Sequence, residues 1–143
     1  MSHSSDDYWE HYDHEADMGI RGVGSSLSAA FEQAALALTA IVADPAKVQP
    51  ETRIDLSCEA PDDELLLVEW LNALVYEMAV RKMLFSRFQV QHQNGKLSGQ
   101  AWGEHVDVRR HRPAVEVKGA TLTTLSVRRN AKDQWVAQTV VDV

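Results

Sequence analysis

The sequence predicts an α+β fold, a single domain in which two helices pack on a mixed, largely antiparallel sheet. Two segments repeat apolar residues at the three- and four-residue spacing of an amphipathic helix, and about eight short segments alternate or run apolar as strands do. Elements in that order, each with one apolar face, bury those faces by laying helices on a sheet. No internal repeat, linker or low-complexity stretch divides the chain.

Residues 1–7 are small and polar and read as a flexible N-terminus, leaving 8–143 as the domain. "YWEHYD" and "MGIRGVG" read as two short strands flanking an acidic turn, with Gly19, Gly22 and Gly24 marking irregular or closely approached backbone. From Leu27 the period changes. Leu27, Phe31, Ala34, Leu38, Ile41 and Val42 share one helical stripe, Ser25 or Ser26 can cap it, and Pro45 stops it. "TRIDLSCEA" alternates Ile54, Leu56 and Cys58 with polar neighbours, the pattern of a half-buried strand. Pro61 to Glu64 then make an acidic first turn for a second helix, whose wide apolar face runs from Leu66 to Met78. "FSRFQVQHQ" and "KLSGQAWGE" flank Asn94–Gly95, which suits a type I′ hairpin turn. "AVEVKGATL", "TLSVRRN" and "QWVAQTVVDV" supply three more strands, and "GEHVDVRRHRP" reads as a polar loop.

Composition narrows the function classes. The 143 residues are 45% hydrophobic and 24% charged, with a net charge of −7. Such a chain is repelled by a phosphate backbone unless its basic residues gather on one face, which argues against direct sequence-specific nucleic-acid binding. The one cysteine, Cys58, permits no internal disulfide and suits a reducing compartment; its phase in the strand makes it a small core residue. The N-terminus lacks a basic-then-apolar pattern, and no apolar run reaches the ~20 residues of a membrane span, so a cytoplasmic protein is expected.

Chemistry concentrates at the two ends. "HYDHEADMGI" gathers Asp13, His14, Glu15 and Asp17 within a few positions. Carboxylate oxygen is the hard donor that calcium or magnesium requires, and Asp142 with the α-carboxylate of Val143 could deliver two more negative groups to the same place. A solvated acidic end reads the same way in sequence. In "GEHVDVRRHRPAVEVKG", Glu104, Asp107 and His111 resemble a hydrolase set loosely, without HExxH or helically spaced histidines for zinc. Lys118 either faces solvent or neutralises nearby acids. There is no GxGxxG, phosphate-binding GxxxxGK[ST] or GxSxG, and the four tryptophans are scattered as packing residues.

Taken together, "YWEHYDHEADMGIRGVGSSLSAAFEQAALALTAIV", "LLLVEWLNALVYE", "KMLFSRFQV", "VEVKGATLTTLSV" and the closing "VVDV" resemble the archease family over nearly the whole chain. The resemblance implies a protein that is not an enzyme. It would activate an RtcB-type RNA ligase, promoting guanylylation and repeated turnover in tRNA splicing or RNA repair. It also implies a divalent-cation site, calcium in the first instance, at Asp17 and Asp142 with an oxygen of Val143. His14 would support Asp17 through a hydrogen bond, and Asp62 and Lys118 match further positions associated with ligase activation. Family members often carry a Tyr-His pair where this chain has Leu122 and Thr123, and acidic residues after the first helix cap that are absent here. Two other readings stay open: a general chaperone or interaction module, and a metal-dependent phosphoester hydrolase using Asp17, Asp142 and His14. Oligomeric state is not legible.

Overall fold

A computed structural model describes residues 6–143. The flexible segment expected over 1–7 lies largely outside the described residues; within it Asp7 is tied down, its Oδ1 accepting the Ser25 N–H at 3.0 Å. Strands β1 (Tyr8–His14) and β2 (Asp17–Gly24) form the first hairpin, and helix α1 (Leu27–Val42) follows. After a 3₁₀ turn (Pro45–Lys47) come β3 (Thr52–Glu59), α2 (Asp63–Arg81), β4 (Met83–Gln93) and β5 (Lys96–His105). The chain ends with a short helix α3 (Val108–His111), β6 (Gly119–Ala120), β7 (Ser126–Arg129) and β8 (Trp135–Asp142).

The α+β class and the two long helices are as expected, and every strand pairing is antiparallel. The strands form two sheets rather than one. The first runs β1-β2-β8-β6, with β7 also on β8; the second runs β3-β5-β4. Helix α1 packs on β1, β2 and β8 of the first sheet and on β4 of the second, so it is the wedge between them. Its side chains also finish β4, an edge strand with backbone groups to satisfy. Glu32 accepts the Val90 N–H at 2.8 Å, and buried Thr39 donates to the Phe85 carbonyl at 2.7 Å. Burial pushes the Glu32 carboxyl above its ordinary value, against the opposing pull of the Val90 hydrogen bond. Trp70, fully buried on α2, donates its indole N–H to the Phe31 carbonyl at 3.1 Å, locking the helices together.

Local sequence sets the ends as expected. Ser26 caps α1 by accepting the Ala29 N–H, and Asn94 and Gly95 both take positive φ (51° and 76°) in the β4–β5 turn, as a type I′ turn requires. Two expectations need correction. "AVEVKGATL" is not a full strand: only Gly119–Ala120 joins β8. Pro113 has no N–H to give a ladder, and the segment instead runs over the surface, with only Val117 buried and Ala114 donating to the Val42 carbonyl. The polar loop "GEHVDVRRHRP" proves to be the end of β5 followed by α3, whose first turn is capped by Asp107.

Candidate functional site

The site is built by the first sheet. Within the β1–β2 hairpin, His14 pairs with Asp17. The β2–β8 ladder pairs Met18 with Val141, and one step further sets Asp17 opposite Asp142. On the other side of β8, Asp142 pairs with Gly119. The row therefore reads His14, Asp17, Asp142, Gly119 across four strands. Side chains alternate along a strand, and buried Ile20, Ala137 and Val141 face the helices, so Asp17 and Asp142 share the outer face. Directly opposite residues hold their Cβ atoms about 4.5–5.5 Å apart. The two sequence ends, predicted to meet, do meet here.

One side of the row is walled by Tyr12. Its ring lies flat on Gly19, where any Cβ would sit 2.2 Å from a ring carbon, and its hydroxyl bonds Thr124 Oγ1 at 2.6 Å. Arg21, paired with Glu10 and bonded to Gln138 at 2.9 Å, stacks 4.6 Å from the Tyr12 ring centroid. On the other side, Lys118 donates its backbone N–H to the Asp142 carbonyl at 2.9 Å and is exposed at its side chain. Asn72 of α2 accepts the Ala120 N–H at 2.8 Å, which pins β6 beside Asp142.

Two expected supports stand elsewhere. His14 does not hydrogen-bond Asp17; its Nδ1 leans into the turn toward Glu15, at 3.7 Å, because Glu15 bends back at φ 54°. Asp62 is the N-cap of α2, its Oδ1 accepting the Leu65 N–H at 2.8 Å. It lies about 15 Å along the helix from Asn72 at 1.5 Å per residue. Val143 follows Asp142 just after β8 and is 36% exposed.

The donor chemistry suits a hard cation. Two carboxylates face each other, and a backbone or terminal carboxylate oxygen adjoins them, whereas calcium takes six to eight oxygens. Among the described residues no three His, Cys, Asp or Glu side chains converge to hold a metal ion. Asp17 and Asp142 with one adjoining oxygen would fill at most about half of such a shell. Asn72 and Tyr76, which line the cavity beside Asp142, went unnoticed in the sequence, where Asn72 reads as one of several polar residues on α2.

The Glu104 cluster has a different role. Glu104 accepts from Gln49 N (2.6 Å), Arg110 Nη1 and Nη2 (2.9 and 2.6 Å) and His111 Nε2 (3.0 Å). The Asp107 N–H donates to His111 Nδ1 at 2.8 Å, which fixes the ring proton on Nε2, and the His111 side chain has no exposure. Every group of the loosely hydrolase-like set is thus spent on tying α3 and the 3₁₀ turn to β5. The Arg110 hydrogen bond, with help from Gln49 and His111, holds the Glu104 carboxyl down at about 2, against the upward push of desolvation. A folded value below the unfolded one makes this stabilisation complete above about 4.5 and lost as pH falls toward about 2. The stability gap between wild type and Glu104→Gln, measured by urea melts, should accordingly be widest at neutral pH and narrow across that window. A gap independent of pH would show that the carboxylate charge is not what holds the loop.

Comparison with known proteins agrees with this architecture. Residues 9–143 match the model of the archease protein family (MTH1598/TM1083). The chain is 39% identical to the protein archease of Pyrococcus furiosus over 139 residues, covering 94% of this chain and 98% of that one. It is 35% identical to the protein archease of Methanosarcina barkeri, covering 94% and 95%. The solution structure of Methanobacterium thermoautotrophicum protein 1598 superposes with a TM-score of 0.81 at 27% identity, covering 94% of this chain and 98% of that one. No helix among the described residues is long and apolar enough to cross a membrane. By sequence over nearly its whole length and by fold, this chain belongs to the archease family.

Proposed function

We propose that this protein is a non-catalytic activator of an RtcB-type RNA ligase, acting in the cytoplasm in tRNA splicing or RNA repair and holding a divalent cation, calcium in the first instance, at Asp17 and Asp142. The observation that carries the reading is the row in which these two acids face each other on one open sheet face. Like charges directly opposite on neighbouring strands are destabilising, so the arrangement favours a cation that offsets their repulsion. Such a cation supplies local positive charge at a half-open site. The chain's own residues then do the rest: Tyr12 and Gly19 wall one side, the Lys118 N–H fixes the end of β8, and an oxygen of Val143, exposed beside Asp142, would complete the protein's share of the shell. Family membership supports the ligase as partner, and the engagement of Glu104, Asp107 and His111 in structural bonds weighs against hydrolysis at that cluster.

The direct test is ligation of RNA ends by the ligase of the same organism, kept limiting, with and without this protein. More product per ligase and faster guanylylation are expected on addition. Unchanged turnover at saturating protein would overturn the reading, and phosphoester hydrolysis by the isolated protein with added metal would replace it with the hydrolase alternative.

A further inference from the structure

The second sheet ends in two edge strands, and the fold treats them differently. β4 is interrupted by a bulge between Phe85 and Arg87, and Glu32 of α1 takes its Val90 N–H. β3 has neither device. It pairs with β5 without a break over all eight of its residues, contains no proline or glycine, and has no strand on its other side among the described residues. An edge that long and regular is a template for another strand unless charge repels the newcomer.

The ladder to β5 decides which backbone groups of β3 stand free. Just past the strand, Ala60 donates its N–H to the Gly95 carbonyl at 3.0 Å, one step beyond the Glu59–Lys96 pair. Antiparallel bonding alternates, so Thr52, Ile54, Leu56 and Cys58 bond β5, and Arg53, Asp55, Ser57 and Glu59 aim N–H and C=O outward. The same four carry exposed side chains, while Ile54 and Leu56 are buried.

The outward side chains are complementary to a second copy of themselves. A copy laid antiparallel must match outward groups with outward groups, so the allowed alignments step along the strand by two residues. Centred on Asp55, that carboxylate faces its own copy; centred on Ser57, Asp55 faces Glu59. Both place like charges opposite, which is destabilising. Centring on Ile54 sets Arg53 against Asp55 but overlaps only five residues of each strand, 52–56. Centring on Leu56 overlaps seven, 53–59. Arg53 then faces Glu59 twice, Asp55 faces the Ser57 hydroxyl twice, and Leu56 lies beside its copy on the inner face.

We infer that β3 is a self-association edge: two copies of this chain pair antiparallel about Leu56 and join their three-stranded sheets into one of six strands. The contact is isologous, each ion pair occurring twice by symmetry. It does not depend on the ligase reading. The acidic row at Asp17 and Asp142 belongs to the other sheet, so such a dimer carries two rows. Exposed ion pairs contribute little each, so a concentration-dependent monomer–dimer equilibrium is expected.

The test is sedimentation equilibrium of the full chain over a concentration series at low salt, for wild type, Arg53→Glu, Glu59→Arg and the double variant Arg53→Glu, Glu59→Arg. Each single substitution sets two like-charged pairs across the interface and should raise the dimer Kd about tenfold or more. The double variant reverses both pairs and should return close to the wild-type Kd. In wild type, the Asp55 and Ser57 amides should exchange with deuterium more slowly at dimer than at monomer concentrations. Unchanged thermal midpoints check folding; if a single variant is destabilised, the double variant and the wild-type exchange decide. A wild type that stays monomeric up to about 1 mM, the limit of weak association, overturns the inference. So does a dimer whose Kd ignores the single substitutions, or one whose formation leaves the Asp55 and Ser57 amides exchanging at the monomer rate.

Discussion

Asp17→Ala should abolish the calcium-dependent gain in stability and most of the stimulation of the ligase, while leaving the metal-free protein as stable as wild type or slightly more so. Asp17 is half-buried at the start of β2 and caps no helix. It forms no ion pair among the described residues, so its removal falls among surface changes within about 0.5 kcal/mol. Relief of its repulsion with Asp142 acts in the same direction. For the bound cation the change is of another order, because one of two side-chain carboxylates disappears. Removing a group that only hydrogen-bonds a metal's ligand already weakens metal sites by about 10–100-fold, and loss of a direct ligand should exceed about 100-fold. With calcium at about 100 times the wild-type Kd, binding adds about 2.7 kcal/mol. That gain corresponds to a rise of roughly 8–11 °C in the midpoint for a domain of this size. The variant should show almost none of it. Calorimetric titration gives the affinity, thermal melts with and without calcium give the shift, and a variant with the full wild-type shift would remove Asp17 from the site. Asp17→Asn separates charge from oxygen, since it keeps one neutral acceptor and should recover only a small part of the affinity.

That Asp17 and Asp142 come together was legible before any coordinates, and the reason is register. Asp17 opens β2 and Asp142 closes β8, so antiparallel pairing over the full length of both strands, the register observed, sets the acids opposite each other. Strand alternation and turn chemistry likewise exposed the hairpins, as Asn94–Gly95 shows. What the sequence hid was long-range competition for backbone groups. "AVEVKGATL" alternates like a strand, yet most of it is drawn off the sheet to cover the core near Val42. The polar run after β5 looked like a loop because its logic is tertiary: Glu104 collects donors from Gln49, Arg110 and His111, and no local pattern announces such a hub. His14 was misassigned for a related reason. Its neighbour in the ladder is Asp17, but turn geometry aims the ring at Glu15.

Gly22→Ala should cost about 3 kcal/mol or more, a large share of the 5–15 kcal/mol that a domain has in all. A Cβ at Gly22 would fall 2.2 Å from the Ala30 carbonyl oxygen and 2.3 Å from the Ala34 nitrogen. Both are backbone atoms of a helix, so no side chain can turn aside, and α1 as a whole must back away from β2. The sequence had prepared this contact from both sides, with glycine on the strand and fully buried Ala30 and Ala34 on the helix. Backing away would strain bonds that α1 makes on its other flank, to Val90, Phe85 and Trp70. The loss should therefore appear as a lower midpoint in urea with an unchanged slope, and as a thermal midpoint lowered by about 10 °C. Gly119→Ala is the control. There the nearest atom is the Asn72 side-chain oxygen at 3.2 Å, which can give by a few tenths of an ångström, so a cost below about 1 kcal/mol is expected. Calcium affinity well below the midpoint should survive Gly22→Ala, because the substitution lies about 17 Å along β2 from Asp17 at about 3.3 Å per residue. Wild-type stability in Gly22→Ala would mean that α1 does not sit on β2 as closely as described, and the wedge joining the two sheets would have to be redrawn.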